Sequence, residues 1–335
     1  MATLDIIVTH WKEGWRECVK PFLDSLNCQR SCDFGKFRVI LVHDEWASYY
    51  QEEWIDRHDL HQYRFKIIQY FKKHDGVSAA RNYGLDHASA DWVCFCDCDD
   101  SFASIYALKW IQYTLDQDPP YDMMWNRFYT NMLDAGDTIQ ILDEYNVIWV
   151  HGKFYRRSFL VKNGLRFNEH LWMSEDSAFN TIVNMTAQNR VGQINTDVPM
   201  YAWCRRIGSV TTDPKKFVSN VLGHMKRNKY VLEEYRKHGW TGWEIVALRT
   251  VTDAYAMLTR FPKPWDEIWQ VCTRIFYFYK ENAQTIDNIW MNDRESYMKA
   301  LRASDREAGV DTDTASRPEL YSWLANIEKE IEKHQ

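Results

Sequence analysis

Seven residues, CFCDCDD at 94–100, alternate two side chains that both bind metals. Cys-x-Cys suits a soft cation such as zinc, and clustered aspartates suit a hard divalent one. In a strand, alternate side chains share a face. Val93, Phe95, Asp97 and Asp99 would then lie on one side and Cys94, Cys96 and Cys98 on the other. Same-face residues stand about 6.6–7 Å apart along a strand, whereas two thiolates on one tetrahedral zinc sit about 3.8 Å apart. A straight strand therefore chelates poorly through Cys-x-Cys, and no second cysteine pair follows at zinc-ribbon spacing. The cysteines are expected to be small buried hydrophobes. The aspartates differ. Three carboxylates within four residues repel one another, and burying them needs a compensating cation. Mg2+ or Mn2+ would supply that charge and could bridge phosphate oxygens. The alternative is a solvated acidic turn with Asp100 or Ser101 capping the next helix, and spacing alone does not choose between the two.

The elements around this stretch alternate. LDIIVT (4–9), RVILVH (38–43), FKIIQY (65–70) and WVCFCD (92–97) are short apolar runs. Helical patterns separate them: GWRECVKPFLDSL despite Pro21, a polar stretch over 48–58, and GVSAARNYGLDHA (76–88). This alternation predicts a parallel sheet covered on both faces. Ligands of such sheets sit beyond the carboxyl ends of the strands. Three of the four strands end in polar groups there: Thr9-His10, His43-Asp44 and Asp97 to Asp100.

From 100 to about 212 the pattern is mixed. It predicts a helix at 104–117, strands at DMMWN and TIQIL, helices near 153–163 and at 175–187, and a strand at VPMYAW (198–203). From Asp213-Pro214, a cap-then-first-turn start, the chain reads as helical, with Gly239 closing the first helix. Further helices are predicted at 242–260, 264–281, 293–307 and 317–333.

Composition bounds the partners. The 335 residues carry a net charge of −6, which disfavours a general binder of duplex nucleic acid. No apolar run reaches the roughly 18 residues of a membrane span, and no signal peptide is visible. The eight cysteines show no disulfide-scaffold spacing, so a reducing, cytoplasmic setting is expected. The 16 Trp and 19 Tyr are compatible with sugar stacking, although Trp149, Trp172 and Trp203 are each expected in the core. His151 and His170 could bind substrate but are expected on the surface, and Arg156-Arg157 either contact an anionic group or lie on a solvated helix face. Asp176 in Ser174-Glu-Asp-Ser also makes a good helix start.

GVSAARNYGLDHASADWVCFCDCDD (76–100) resembles the stretch of family 2 glycosyltransferases that runs from an Ala-Arg-Asn helix into a strand ending Asp-x-Asp-Asp. LDIIVTHWKEG (4–14) resembles the family's first strand and loop, with Thr9 and Lys12 replacing the usual Pro and Asn. VILVHDEWAS (39–48) resembles the second, with His43, Glu45 and Trp46 replacing Asp, Gly and Ser. KFYRRSFLVKNGLRFNEHLWMSEDSAFN (153–180) and YAWCRRIGSVTT (201–212) match the later segments, so the likeness covers about 1–212.

The resemblance implies a GT-A fold: α/β, a Rossmann-like mixed sheet flanked by helices. Residues 1–100 would form its nucleotide-binding half, 101–212 its acceptor half, and 213–335 an all-helical extension. It implies inverting transfer from a nucleotide-diphosphate sugar, a UDP-sugar first, to a glycan or other hydroxyl acceptor, with Mn2+ or Mg2+. By position, Asp97, Asp99 and Asp100 would serve the metal, with Asp97 also near the ribose and Asp99 binding the metal directly. Thr9, His10 and Asp44 would line the nucleotide cleft, and Arg81 would approach the base or diphosphate. Arg205, Arg206 and Ser209 would cover the diphosphate. Asp176 would be the general base, oriented by Glu175. The metal acids and Glu175-Asp176 are far apart in sequence, which suits opposite sides of one cleft. Surface-glycan synthesis is the leading role. Transfer to a modified nucleobase in DNA or to a protein, an inactive sugar-binding module, and a homodimer through the helical region stay open.

Overall fold

The structure is a computed structural model that describes residues 2–11, 15–45, 60–132, 138–142, 148–196, 198–204, 216–260, 262–307 and 318–334. It divides into two compact units, Met1–Ser209 and Val210–Gln335.

In the first unit, β1 (Leu4–His10) is buried along its whole length. It lies between β2 (Phe37–His43) and β4 (Trp92–Asp97), and β3 (Lys66–Phe71) flanks β2, all four parallel. The sheet continues past β4 through β9 (Lys153–Arg156), β6 (Met123–Trp125) and β10 (Val191–Gln193), with β9 antiparallel to both neighbours. The result is a seven-stranded mixed sheet. A second sheet has four strands in the order β5 (Ser101–Phe102), β11 (Tyr201–Trp203), β7 (Phe128–Met132) and β8 (Thr138–Leu142).

Strand alternation sorts the opening motif as its spacing predicts. Cys94, Cys96 and Cys98 are buried in one apolar core with Leu4, Ile6 and Val8. Phe22, Leu23 and Leu26 of α1 (Lys20–Asn27) and Leu108, Ile111 and Leu115 of α3 (Ala107–Asp116) complete it. On the opposite face Phe95 meets Phe167 and Phe179 at ring-centroid distances of 4.9 and 5.8 Å. Helix α2 (Val77–His87) packs there through Gly84, where a Cβ would come within 2.4 Å of Ile7 Cγ2. Only a residue without a side chain permits that approach.

Two predicted elements differ. Residues 153–163 are not one helix: β9 takes Lys153–Arg156, and α4 (Arg157–Lys162) follows. Lys153, Phe154 and Tyr155 are all buried, so tertiary pairing with β4 and β6 overrides local helix preference. Arg156 stacks over Trp92 at 4.7 Å and donates to Pro119 O at 2.8 Å, which makes it structural. A further α-helix of this unit, α5, spans Glu175–Ala187.

The second unit contains α6 (Phe217–His238), α7 (Trp243–Arg260), α8 (Trp265–Glu307) and α9 (Leu320–Lys333). Gly239 closes α6 in the left-handed region, φ 66°, as predicted. Asp213-Pro214 lies outside the described residues. The two helices predicted at 264–281 and 293–307 are one helix of 43 residues. The intervening stretch holds no Gly or Pro, and Ile286 and Trp290 extend the buried stripe of Val271, Cys272 and Ile275. Polar residues there occupy outer positions rather than ending the helix. Among the described residues, no helix is long and apolar enough to cross a membrane.

Candidate active site

The register of the parallel strands brings the first groups together. Thr9 pairs with Asp97 across β1 and β4, and His10 with His43 across β1 and β2. Thr9 Oγ1 lies 3.5 Å from Asp97 Oδ1. His10 and His43 are buried, with their Nδ1 atoms 2.9 Å apart.

Arg81 projects from α2 and is nearly inaccessible, its side chain 4% exposed. It donates to Asp97 Oδ1 at 2.9 Å and to Glu175 Oε1 at 2.8 Å. It therefore bridges the two acidic motifs. The same bridge means that the acids at 97 and 175 are not across an open cleft from each other. One guanidinium spans them. Burial would lower the pKa of Arg81, but Asp97, Glu175 and Asp176 outweigh it and raise it. Burial would likewise raise Asp97, and the Arg81 charge holds it below the usual carboxylate range.

Beyond the strand end the chain turns, and Asp100 is buried. Its oxygens accept from Tyr201 Oη at 2.8 Å and from Cys204 N at 2.9 Å. Burial, then the charges of Asp97 and Asp99, push its pKa well above the usual range. His151, expected on the surface, is also buried, at 4% exposure. It sits one residue before Gly152 (φ 64°), at the turn into β9. Burial lowers its pKa to about 4. Its Nδ1 lies 3.4 Å from Asp100 Oδ2, and one ligand atom each from Asp97, Asp100 and His151 falls within 4.8 Å of the others.

These residues fit a divalent cation. Two crowded carboxylates and a buried imidazole nitrogen offer donors at coordination spacing, and positive charge would relieve the repulsion that burial intensifies. Asp99, on the same turn, is partly accessible and is not in that converging group.

Glu175 and Asp176 open α5. The residue before them, Ser174, is left-handed at φ 56° and makes no side-chain cap bond, a conformation that costs about 1 kcal/mol outside glycine. Asp176 Oδ1 accepts from Ser177 N at 2.7 Å, so the carboxylate takes one helix-end N–H. Its side chain remains partly accessible. Burial, followed by repulsion from Glu175, raises its pKa to about 7. Lys153 is buried on β9, donates to Trp149 O, and is lowered by burial to about 7. Lys153 is not singled out by the sequence because the run 153–163 reads as helix. His151 reads as a surface residue because its companions Tyr201 and Trp203 come fifty residues later.

Asp44 is fully engaged. It accepts from Lys72 Nζ at 2.8 Å, Asp75 N at 3.1 Å and Gly76 N at 2.9 Å, with His74 Nδ1 at 2.7 Å. It organises the loop leading into α2. Trp149 and Trp203 pack together at 5.7 Å, whereas Trp172 is 49% exposed. Arg205, Arg206 and Ser209 lie outside the described residues.

The comparisons agree with this architecture. No curated protein matches the sequence. Among solved structures, S. aureus TarS 1-349 in complex with UDP is similar, with a TM-score of 0.51 and 15% identity over 88% of this chain and 92% of that one. TarS 1-349 in complex with UDP-GlcNAc gives a TM-score of 0.51 and 16% identity over 89% and 92%. At such identities the likeness concerns the fold, which is of GT-A type. The model of the family described as "Glycosyl transferase family 2" matches residues 5–174, half of the chain. The chain thus belongs to glycosyl transferase family 2 and is a glycosyltransferase.

Proposed function

We propose that this enzyme moves a sugar from a nucleotide-diphosphate sugar, a UDP-sugar first, to an acceptor hydroxyl with inversion and with a divalent cation. The observation that carries the reading is the pair of poles joined by Arg81. One pole is the Asp97–Asp100–His151 cluster. The other is Glu175-Asp176, where Glu175 accepts from Arg81 and the neighbouring Asp176 carboxyl is raised to about 7. The UDP and UDP-GlcNAc complexes of TarS 1-349, a protein of the same fold, support the choice of donor.

A cation held by Asp97, Asp100 and His151, with Asp99 alongside, would neutralise the charge of the departing nucleoside diphosphate. The protein's own groups do the rest. Arg81 fixes Asp97 and Glu175 in place. Thr9 and the loop organised by Asp44 wall the nucleotide side, and Arg205, Arg206 and Ser209, outside the described residues, would cover the diphosphate as the resemblance implies. Asp176 takes the proton from the acceptor hydroxyl as that oxygen attacks the anomeric carbon. A base whose pKa lies near 7 combines sufficient strength with a large deprotonated fraction at neutral pH. A glycan of the cell surface is the proposed acceptor.

The test is a screen of nucleotide sugars with Mn2+, read by mass spectrometry for donor cleavage and for transfer to glycan acceptors. NMR of the product's anomeric centre then reads the stereochemistry. Donor binding without turnover for every sugar would overturn the catalytic reading, and a retained configuration would overturn inversion.

A further inference from the structure

We propose that His151 is a nitrogen ligand of the active-site cation and that it makes the site favour a first-row transition dication, Mn2+ among them, over Mg2+. The proposal rests on the cation-dependent reading above and deepens it.

The first observation is an orphan. His151 Nδ1 is buried with no hydrogen-bond partner among the described residues. Leaving such an atom unsatisfied costs about 1–3 kcal/mol, and native proteins rarely tolerate that without a use for the atom. The nitrogen is not idle in direction: it stands 3.4 Å from Asp100 Oδ2, inside the group whose ligand atoms lie within 4.8 Å of one another. A cation about 2.2 Å from each ligand places adjacent ligand atoms about 3.1 Å apart and opposed ones about 4.4 Å apart. The observed spacings need little contraction to reach those values.

The second observation is that the ring is held. His151 stacks on Tyr201 and on Trp203, each at 5.5 Å with interplanar angles of 19° and 21°. Phe128 meets it edge-on at 5.6 Å. Its backbone is fixed as well. Gly152 presses against Asn126, where a Cβ would come within 2.6 Å of the carbonyl oxygen, and Asn126 N donates to Gly152 O at 2.8 Å. Tyr201 also donates to Asp100 Oδ2, so one side chain positions two of the three ligands. An imidazole fixed this way, with its nitrogen lacking a hydrogen bond among the described residues and facing the carboxylates, is a preorganised donor.

The chemistry of that donor sets the preference. Mg2+ takes oxygen ligands and keeps its waters, whereas imidazole strengthens binding of first-row transition ions, in an order that rises from Mn2+ through Co2+.

The experiment uses the full chain and the metals alone. Electron spin-echo modulation of bound Mn2+ reports a directly coordinated imidazole nitrogen, and calorimetry gives the affinities for Mn2+ and Mg2+. His151→Phe retains a stacking ring without nitrogen, and His151→Gln retains a polar side chain. The expected result is nitrogen modulation in the wild type that both variants lose. Losing a ligand should cost at least the roughly tenfold to hundredfold of a lost supporting contact. Mn2+ affinity should therefore fall at least about tenfold, and Mg2+ affinity by less than about threefold. Mn2+ bound without nitrogen modulation in the wild type would overturn the proposal and leave the cation reading standing, even if neither variant folds. Modulation that survives in His151→Gln, or an unchanged Mn2+-to-Mg2+ ratio, would overturn it too. No binding of either metal would sink both.

Discussion

Asp44 and Asp100 are both buried carboxylates just past the ends of parallel strands, yet they differ in what surrounds them. Asp44 has an ammonium, an imidazole and two backbone N–H groups within hydrogen-bonding reach. Its charge is balanced and its geometry closed. Asp100 receives a phenol and one N–H, and faces two further acids of the same motif with an imidazole nitrogen that has no hydrogen bond among the described residues. Position past a strand end thus marks a place where chemistry can happen. Whether the donors around the acid are sufficient separates scaffold from site.

The sharpest way to break that contrast is to neutralise each acid in turn. Asp100→Asn is expected to lower cation-dependent donor affinity and turnover by at least about a hundredfold, read by calorimetry and initial rates. Asp176→Asn should cut turnover by about 10²–10⁴ while donor affinity stays within about twofold. Equal loss of donor affinity in the two variants would erase the division between the poles.

Asp44→Asn should act on stability instead. Removing the charge from a buried ion pair costs about 3–5 kcal/mol, seen as a lower denaturation midpoint, with Mn2+ affinity unchanged. A loss of metal binding without a loss of stability would reverse the assignment. Gly84→Ala is next. A Cβ 2.4 Å from Ile7 Cγ2 should cost about 1–3 kcal/mol by overpacking, and it should lower turnover by displacing the helix that carries Arg81.

The smallest effect is in pH. The Asp176 base form is populated as pH rises through about 7. Turnover should therefore climb about tenfold per unit below that value and level off above it, and Asp176→Asn should abolish the slope. Stability runs the other way. The folded pKa is raised above its unfolded value, so the contribution of Asp176 is fully present below about pH 4 and is lost as pH rises through about 7.

Much of the first unit was legible because period-2 burial is local. Cys94, Cys96 and Cys98 fell on the apolar face as their alternation requires, and the strand ends carried the polar groups. Function was legible in the ordered motifs from Thr9 to Asp176. What local pattern could not carry was partnership at long range. That Arg81 ties Asp97 to Glu175, ninety-four residues beyond the arginine, is written nowhere in its own neighbourhood. His151 reads as a solvated histidine until Tyr201 and Trp203 enclose it. Lys153–Tyr155 reads as helix until sheet pairing claims it. The long α8 was missed for the opposite reason: polar residues over 282–292 look like a break, although nothing there stops a helix.

Helix α2 spends two consecutive residues on one task. Arg81 holds Glu175, and Asn82 donates to Phe167 O and Glu169 Oε1 and accepts from Phe167 N. Opening the stretch 167–175 away from the sheet would forfeit these four bonds, on the order of 5 kcal/mol. Fewer than about one molecule in a thousand would be open at any instant. That stretch therefore behaves as a fixed wall against the sheet rather than as a moving flap.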